Sequence, residues 1–123
     1  MLDAAATFAG VRGGKLHCVA VVEFSEVLSD LDWIDPRKIR KEAIASSQEF
    51  LDALIQPYGI AKSRVHRPAG KVGHLVAATA RKTKAGLEVV GSAARRGLEA
   101  RVLGNSAEKI LERSPVDVLV VHP

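Results

Sequence analysis

Gly91 and Gly104 stand thirteen residues apart, and the donors around them make this the stretch best suited to chemistry. Holding a phosphate here would need backbone N–H groups converging after Gly91 and at a helix that starts near Asn105. Glycine serves such a site because the backbone must come close to the anion and often adopts φ > 0. Ser92, Asn105 and Ser106 add hydrogen-bond donors, while Arg95, Arg96 and Arg101 would draw an anion into the loop. The plainer alternative is a turn and a capped helix beside a solvated basic loop. Nothing in the sequence marks Ser92 or Ser106 as a nucleophile with a base beside it.

Other chemistries find less support. No Ser-His-Asp arrangement, paired carboxylates at a strand end or HExxH-type motif can be picked out, so an enzyme is not expected. His17, His66, His74 and His122 show no ligand spacing such as His-x3-His, and no metal is inferred. Cys18, the single cysteine, lies inside an apolar run and reads as a small buried hydrophobe. It allows no disulfide framework.

The elements that must position these residues can be read in order. Leu2, Ala5, Ala6 and Ala9 fall at helical spacing, with Gly10, Gly13 and Gly14 ending the segment. Leu16 to Val22 is a continuous apolar run, suited to a strand covered on both faces. Trp33, in the loop that follows, reads as a lid on the core. Asp35-Pro36 is a helix start, with Asp35 as N-cap and Pro36 at the first helical position. Ile39, Ala43, Ser47, Phe50, Leu51 and Leu54 then share one face as far as Pro57. Ser63 to Arg67 reads as a short basic edge strand, with His66 as an edge side chain. Val72, Leu75, Val76, Thr79 and Thr83 mark one face of a further helix, closed by Gly86.

Leu87 to Val90, a helix over Asn105 to Arg113 and a strand over Asp117 to Val121 then make a βαβ unit. Asn105 is expected to cap its helix, with Glu108 reaching back, and Ile110 and Leu111 to face the sheet. Glu88 is the anomaly, a carboxylate in a strand that should be covered, where it needs a partner or water.

With 123 residues, the chain is one domain by size, residues 1–123. Apolar residues make up 47 % and aromatics only 4 %, so Val, Leu, Ile and Ala must build the core, as suits a covered parallel sheet. The net charge of +4 is mild, and without interleaved aromatics a nucleic-acid partner is disfavoured. No stretch reaches membrane-span length and the N-terminus lacks a signal-peptide pattern, so the cytoplasm is the expected location.

The spacing of Gly91 and Gly104, the short helix and the terminal VLVV strand resemble the C-terminal half of a universal stress protein domain. The family's nucleotide binders carry Gly-x2-Gly-x9-Gly-(Ser/Thr). Gly91 and Gly104 match its first and last glycines; Ala94 stands at the second glycine and Asn105 at the Ser/Thr, with Ser106 one place late. RRGLEARVLGNSAE is similar to the tandem-domain branch, in which the hydroxyl also follows an Asn. The resemblance implies an α/β, parallel-sheet, Rossmann-like (adenine nucleotide alpha hydrolase-like) sandwich of five strands. Only four strands are found here, so the family's first strand and most of its first helix are expected to be missing. Leu16–Val22 and Leu87–Val90 must then meet directly or borrow a strand from another chain.

In function the resemblance implies a non-enzymatic stress-response module without cofactor. Its last strand would pair with that of a second copy through Val118, Leu119, Val120 and Val121. The alternative is a sensor binding ATP with Mg through the Gly91 to Ser106 loop. Ala94 argues against it, because a Cβ intrudes where the backbone should approach phosphate. The family's ATP binders also hold the adenosine through an acidic residue at the end of the first strand, and no residue here fills that place.

Overall fold

The computed structural model describes residues 1–22, 35–92 and 104–122. Trp33, Ala94, Arg95, Arg96 and Arg101 lie outside the described residues. The elements in order are helix α1 (Leu2–Arg12), strand β1 (Cys18–Val19), helix α2 (Pro36–Ile55), strand β2 (Val65–His66), helix α3 (Val72–Thr83), strand β3 (Leu87–Gly91), helix α4 (Asn105–Arg113) and strand β4 (Asp117–Val121).

The C-terminal βαβ unit forms as its apolar pattern predicts. β3 and β4 pair in parallel over five residues, from Leu87 opposite Asp117 to Gly91 opposite Val121. α4 bridges them and packs along α3. That contact is close: a Cβ built on Gly73 would meet the Lys109 carbonyl oxygen at 2.6 Å. Ala77 and Ala80 of α3 and Ala107 of α4 are buried as well. Thr79 and Thr83 spend their hydroxyls on the Leu75 and Thr79 carbonyls within α3.

The N-terminal strands are shorter than the apolar run suggests. Only Cys18 and Val19 pair as β1, opposite Val65 and His66 of β2. Single bonds extend the ladder: the Ala20 N–H donates to the His66 carbonyl, Val22 to Pro68, and Gly70 back to Val22. Leu16 to Val22 is half-buried throughout rather than fully covered. Lys62–Arg64 forms a 3-10 turn, which cuts the basic strand to two residues. β1 does not pair with β3. The described strands make two separate parallel pairs, β1–β2 and β3–β4.

Several boundaries move for identifiable reasons. α1 runs past Gly10 to Arg12, and Gly13 ends it in the left-handed region at φ 65°, where glycine carries no Cβ penalty. α3 ends on Lys84, itself left-handed at φ 55°, with its N–H on the Ala80 and Arg81 carbonyls. Gly86 comes too late to act as the cap. Asp35 does cap α2, accepting the Arg37 N–H at 3.0 Å, with Pro36 next in line. Along α2, Leu51 and Ile55 are buried, whereas Phe50 is 69 % exposed and Leu54 is also exposed.

Candidate functional site

Parallel pairing brings the ends of β3 and β4 to one place. The Ser92 N–H donates to the Val121 carbonyl at 3.0 Å, one step beyond the Gly91–Val121 pair. This sets the Ser92 Oγ 2.8 Å from Nδ1 of His122. A hydroxyl beside an imidazole nitrogen is the first requirement of an activated nucleophile. No local pattern signals this pair, because the two residues are thirty positions apart and meet only through strand register. Among the described residues no contact orients the far nitrogen of His122, which is exposed. The arrangement is a hydrogen-bonded pair, without the third group that defines a triad.

α4 joins two parallel strands, so its first turn lies at the end of the sheet where β3 stops. Gly104, in extended conformation, is its N-cap, and the Gly104 carbonyl accepts the Glu108 N–H at 3.0 Å. Asn105 is therefore the first helical residue and makes no side-chain cap. The expected Asn105–Glu108 capping box does not form, because the helix starts one residue earlier than that motif needs. Asn105 and Ser106 are exposed at this positive end of the helix dipole, and Ala107 anchors the turn in the core. Further along, Ile110 is half-buried, but Leu111 is exposed rather than facing the sheet.

Gly91 departs from what phosphate binding asks of a glycine. Its φ is outside the left-handed region, and a Cβ there would meet the Met1 Sδ at 3.5 Å, an ordinary contact. The space that glycine opens is thus bordered by a thioether. Of the candidate anion loop, Gly91, Ser92, Gly104, Asn105 and Ser106 are described and share this end of the sheet.

The residues expected at a dimer contact lie along β4, which bonds only to β3 among the described strands. Val118, Val120 and Val121 are half-buried and Leu119 is 37 % exposed. Leu119 opens into a shallow groove with Phe8 and Val11 of α1, and Val11 is 81 % exposed. An apolar strip therefore continues from the free edge of β4 onto α1. The Arg12 guanidinium sits 5.7 Å from the centre of the Phe8 ring at its margin.

Two half-hidden groups bear on reactivity. Burial pushes the Cys18 thiol above its ordinary pKa, with a smaller opposing pull from Arg67, so it stays protonated at neutral pH. Glu88 is buried in β3, and among the described residues neither carboxylate oxygen has a hydrogen-bond partner. Among the described residues no three His, Cys, Asp or Glu side chains gather to hold a metal, and no helix is long and apolar enough to cross a membrane.

Comparison with known proteins accords with this geometry. Universal stress protein E of Escherichia coli (strain K12) is 33 % identical over 73 residues, which is 59 % of this chain and 23 % of that protein. The universal stress protein E homolog of Haemophilus influenzae is 26 % identical over 112 residues, 89 % of this chain and 36 % of that one. The chain thus spans 23 % and 36 % of the length of these two relatives. A solved structure of a functionally unknown protein from Pseudomonas aeruginosa PAO1 matches 99 % of this chain and 39 % of its own, at 26 % identity and a TM-score of 0.73. The fold is the Rossmann-like α/β arrangement of these proteins. Since the universal stress protein family profile matches residues 1–122, the chain belongs to that family.

Proposed function

We infer that this chain is a non-enzymatic stress-response module of the cytoplasm, working as two copies joined along β4 and holding no nucleotide. The observation that carries the reading is the edge of β4 that no other described strand covers, with Leu119 exposed and the apolar strip of Phe8 and Val11 beside it. A strand with an open edge and apolar neighbours suits an isologous two-fold contact, in which each copy completes the other's sheet. The ordinary backbone of Gly91 and the thioether beside it support the nucleotide-free part.

Light scattering on the wild type and on Leu119→Asp tests the assembly. Dimer for the first and monomer for the second are expected; a monomeric wild type or a dimeric variant overturns the interface. A melt with Mg-ATP tests the rest. A ligand that binds only the folded state adds about 2.7 kcal/mol at a hundredfold excess over its dissociation constant, so a clear rise in midpoint refutes the nucleotide-free reading.

A nucleotide sensor is the second reading. Ser92 and the start of α4 favour it, since both stand at the end of the β3–β4 pair. Ala94→Gly combined with Asn105→Ser restores the family's residues, and Mg-ATP affinity would follow only if the rest of a pocket exists.

A further inference from the structure

A second cluster of polar side chains lies on the other strand pair, away from Gly91 and Ser92. His17 precedes β1 and Lys15 stands two residues before it; Arg64 leads into β2 and His66 ends it. Arg64 closes the 3-10 turn that leads into β2, and its Nε–H reaches back to the Leu16 carbonyl beside His17. The His17 Nδ1 and the His66 Nε2 are 3.1 Å apart. The ring planes differ by 17° and the centroids are 5.4 Å apart. That separation equals the nitrogen–nitrogen distance plus one ring radius at each end. The rings therefore meet nitrogen to nitrogen in nearly one plane, not face over face.

This geometry decides what the pair can do with protons. An N–H···N bond needs one ring to donate and the other to accept, so the neutral pair directs only one N–H outward. One added proton leaves the inner bond intact. Both rings then present an outward N–H, His17 through Nε2 and His66 through Nδ1, and the pair carries a positive charge. A second proton would set two N–H groups head to head and break the contact. Charging the pair once thus adds a charge and a donor together.

The surroundings favour an anion. Lys15 and Arg64 both act electrostatically on His17, and no carboxylate among the described residues offsets them. Arg64 is anchored through its Nε–H on the Leu16 carbonyl at 3.2 Å, and no described partner takes its terminal N–H groups. Arg67, the next basic side chain along, is already paired with Asp52. Lys15 is exposed, while His17, Arg64 and His66 are half-buried, where screening is weaker than in open solvent.

We propose that Lys15, His17, Arg64 and His66 form a binding site for a phosphate-class oxyanion, charged by uptake of a single proton on the His17–His66 pair. Burial first, then His66, Arg64 and Lys15, hold the pKa of His17 below its ordinary value, which disfavours a charge on His17 while the site is empty. A bound dianion reverses that balance. By linkage, the anion binds more tightly as pH falls, and its binding takes up a proton. Cys18, the other titratable group on β1, stays uncharged and does not enter the balance.

Sulfate is the probe, because it remains a dianion throughout the range in which imidazole titrates. The full chain is titrated with sodium sulfate at pH 6 and pH 8, against sodium chloride of equal ionic strength, following the ring resonances of His17 and His66. Saturable shifts are expected with sulfate alone, with affinity roughly tenfold higher at the lower pH and the His17 pKa raised in the complex. The double variant His17→Gln/His66→Gln keeps hydrogen-bonding side chains at both positions but can take up no proton; it should bind weakly and equally at both pH values while its melt shows it folded. Lys15→Ala should weaken binding but leave the pH dependence. Equal effects of chloride and sulfate, or an unchanged pH dependence in the double variant, overturn the proposal. Inorganic phosphate and a mononucleotide, titrated in the same way, then separate a free anion from a phosphate carried on a larger molecule.

Discussion

Replacing Glu88 with Val should stabilise this protein, and by an amount that depends on pH. Glu88 is 8 % exposed, and both carboxylate oxygens are buried without a partner. The nearest candidate, the Ser114 hydroxyl, already donates to the Val116 carbonyl at 2.8 Å, so its help to the carboxylate is slight. Burial raises the Glu88 pKa, with Ser114 opposing the shift in part. A raised acid pKa means that the folded state holds its proton where the unfolded chain has lost it. Below the unfolded value both states are protonated and no penalty exists. As pH rises through the gap stability falls, and above the folded pKa the full penalty applies. Leaving a buried polar group unsatisfied costs about 1–3 kcal/mol. About 2 kcal/mol would move the midpoint of a domain of this size by roughly 5–10 °C. Urea unfolding and thermal melts at pH 4, 6 and 8 read the effect directly. Glu88→Val should gain most at pH 8 and little at pH 4, with Glu88→Gln between wild type and Val at high pH. A Val variant less stable than wild type at pH 8, or a gain constant with pH, would refute the reasoning.

Other substitutions test the packing. Gly73→Ala would drive a Cβ to 2.6 Å from the Lys109 carbonyl oxygen, which is backbone and cannot swing away. It should cost about 1–3 kcal/mol in urea unfolding, against the usual benefit of alanine in a helix. Asp35→Ala removes the cap on the Arg37 N–H and should cost about 1 kcal/mol by the same measurement. Cys18, its thiol held protonated by burial, should react with a thiol reagent at pH 7.5 more slowly than free cysteine, the difference vanishing in denaturant.

What was legible in the sequence was local. Leu87–Val90, Asn105–Arg113 and Asp117–Val121 carry patterns whose periods differ, and Asp35-Pro36 is a start signal written in adjacent residues. What escaped was tertiary. Gly73 reads only as a weak helix residue until α4 lies against it. Ser92 meets His122, and His17 meets His66, across thirty and forty-nine positions, joined by strand register that no local pattern encodes. The capping box failed by one residue, because Asn105 suits either the cap or the first turn and Gly104 took the extended position. Gly91 misled differently: glycine permits an unusual backbone without requiring it.

The division of the described strands into two separate pairs has a consequence for how the chain opens. β3 and β4 pair over five residues across a short stretch of sequence and are braced by the α3–α4 contact, whereas β1 and β2 share a two-residue ladder closed across a much longer stretch. Short closures cost less entropy and form sooner, and well-packed units open last. The amides of β3, α4 and β4 should therefore exchange with solvent most slowly, and those of β1 and β2 should open first. The oxyanion proposed above would then act as a clasp on the weaker half, slowing exchange at Ala20 and Val22 while leaving the C-terminal unit untouched.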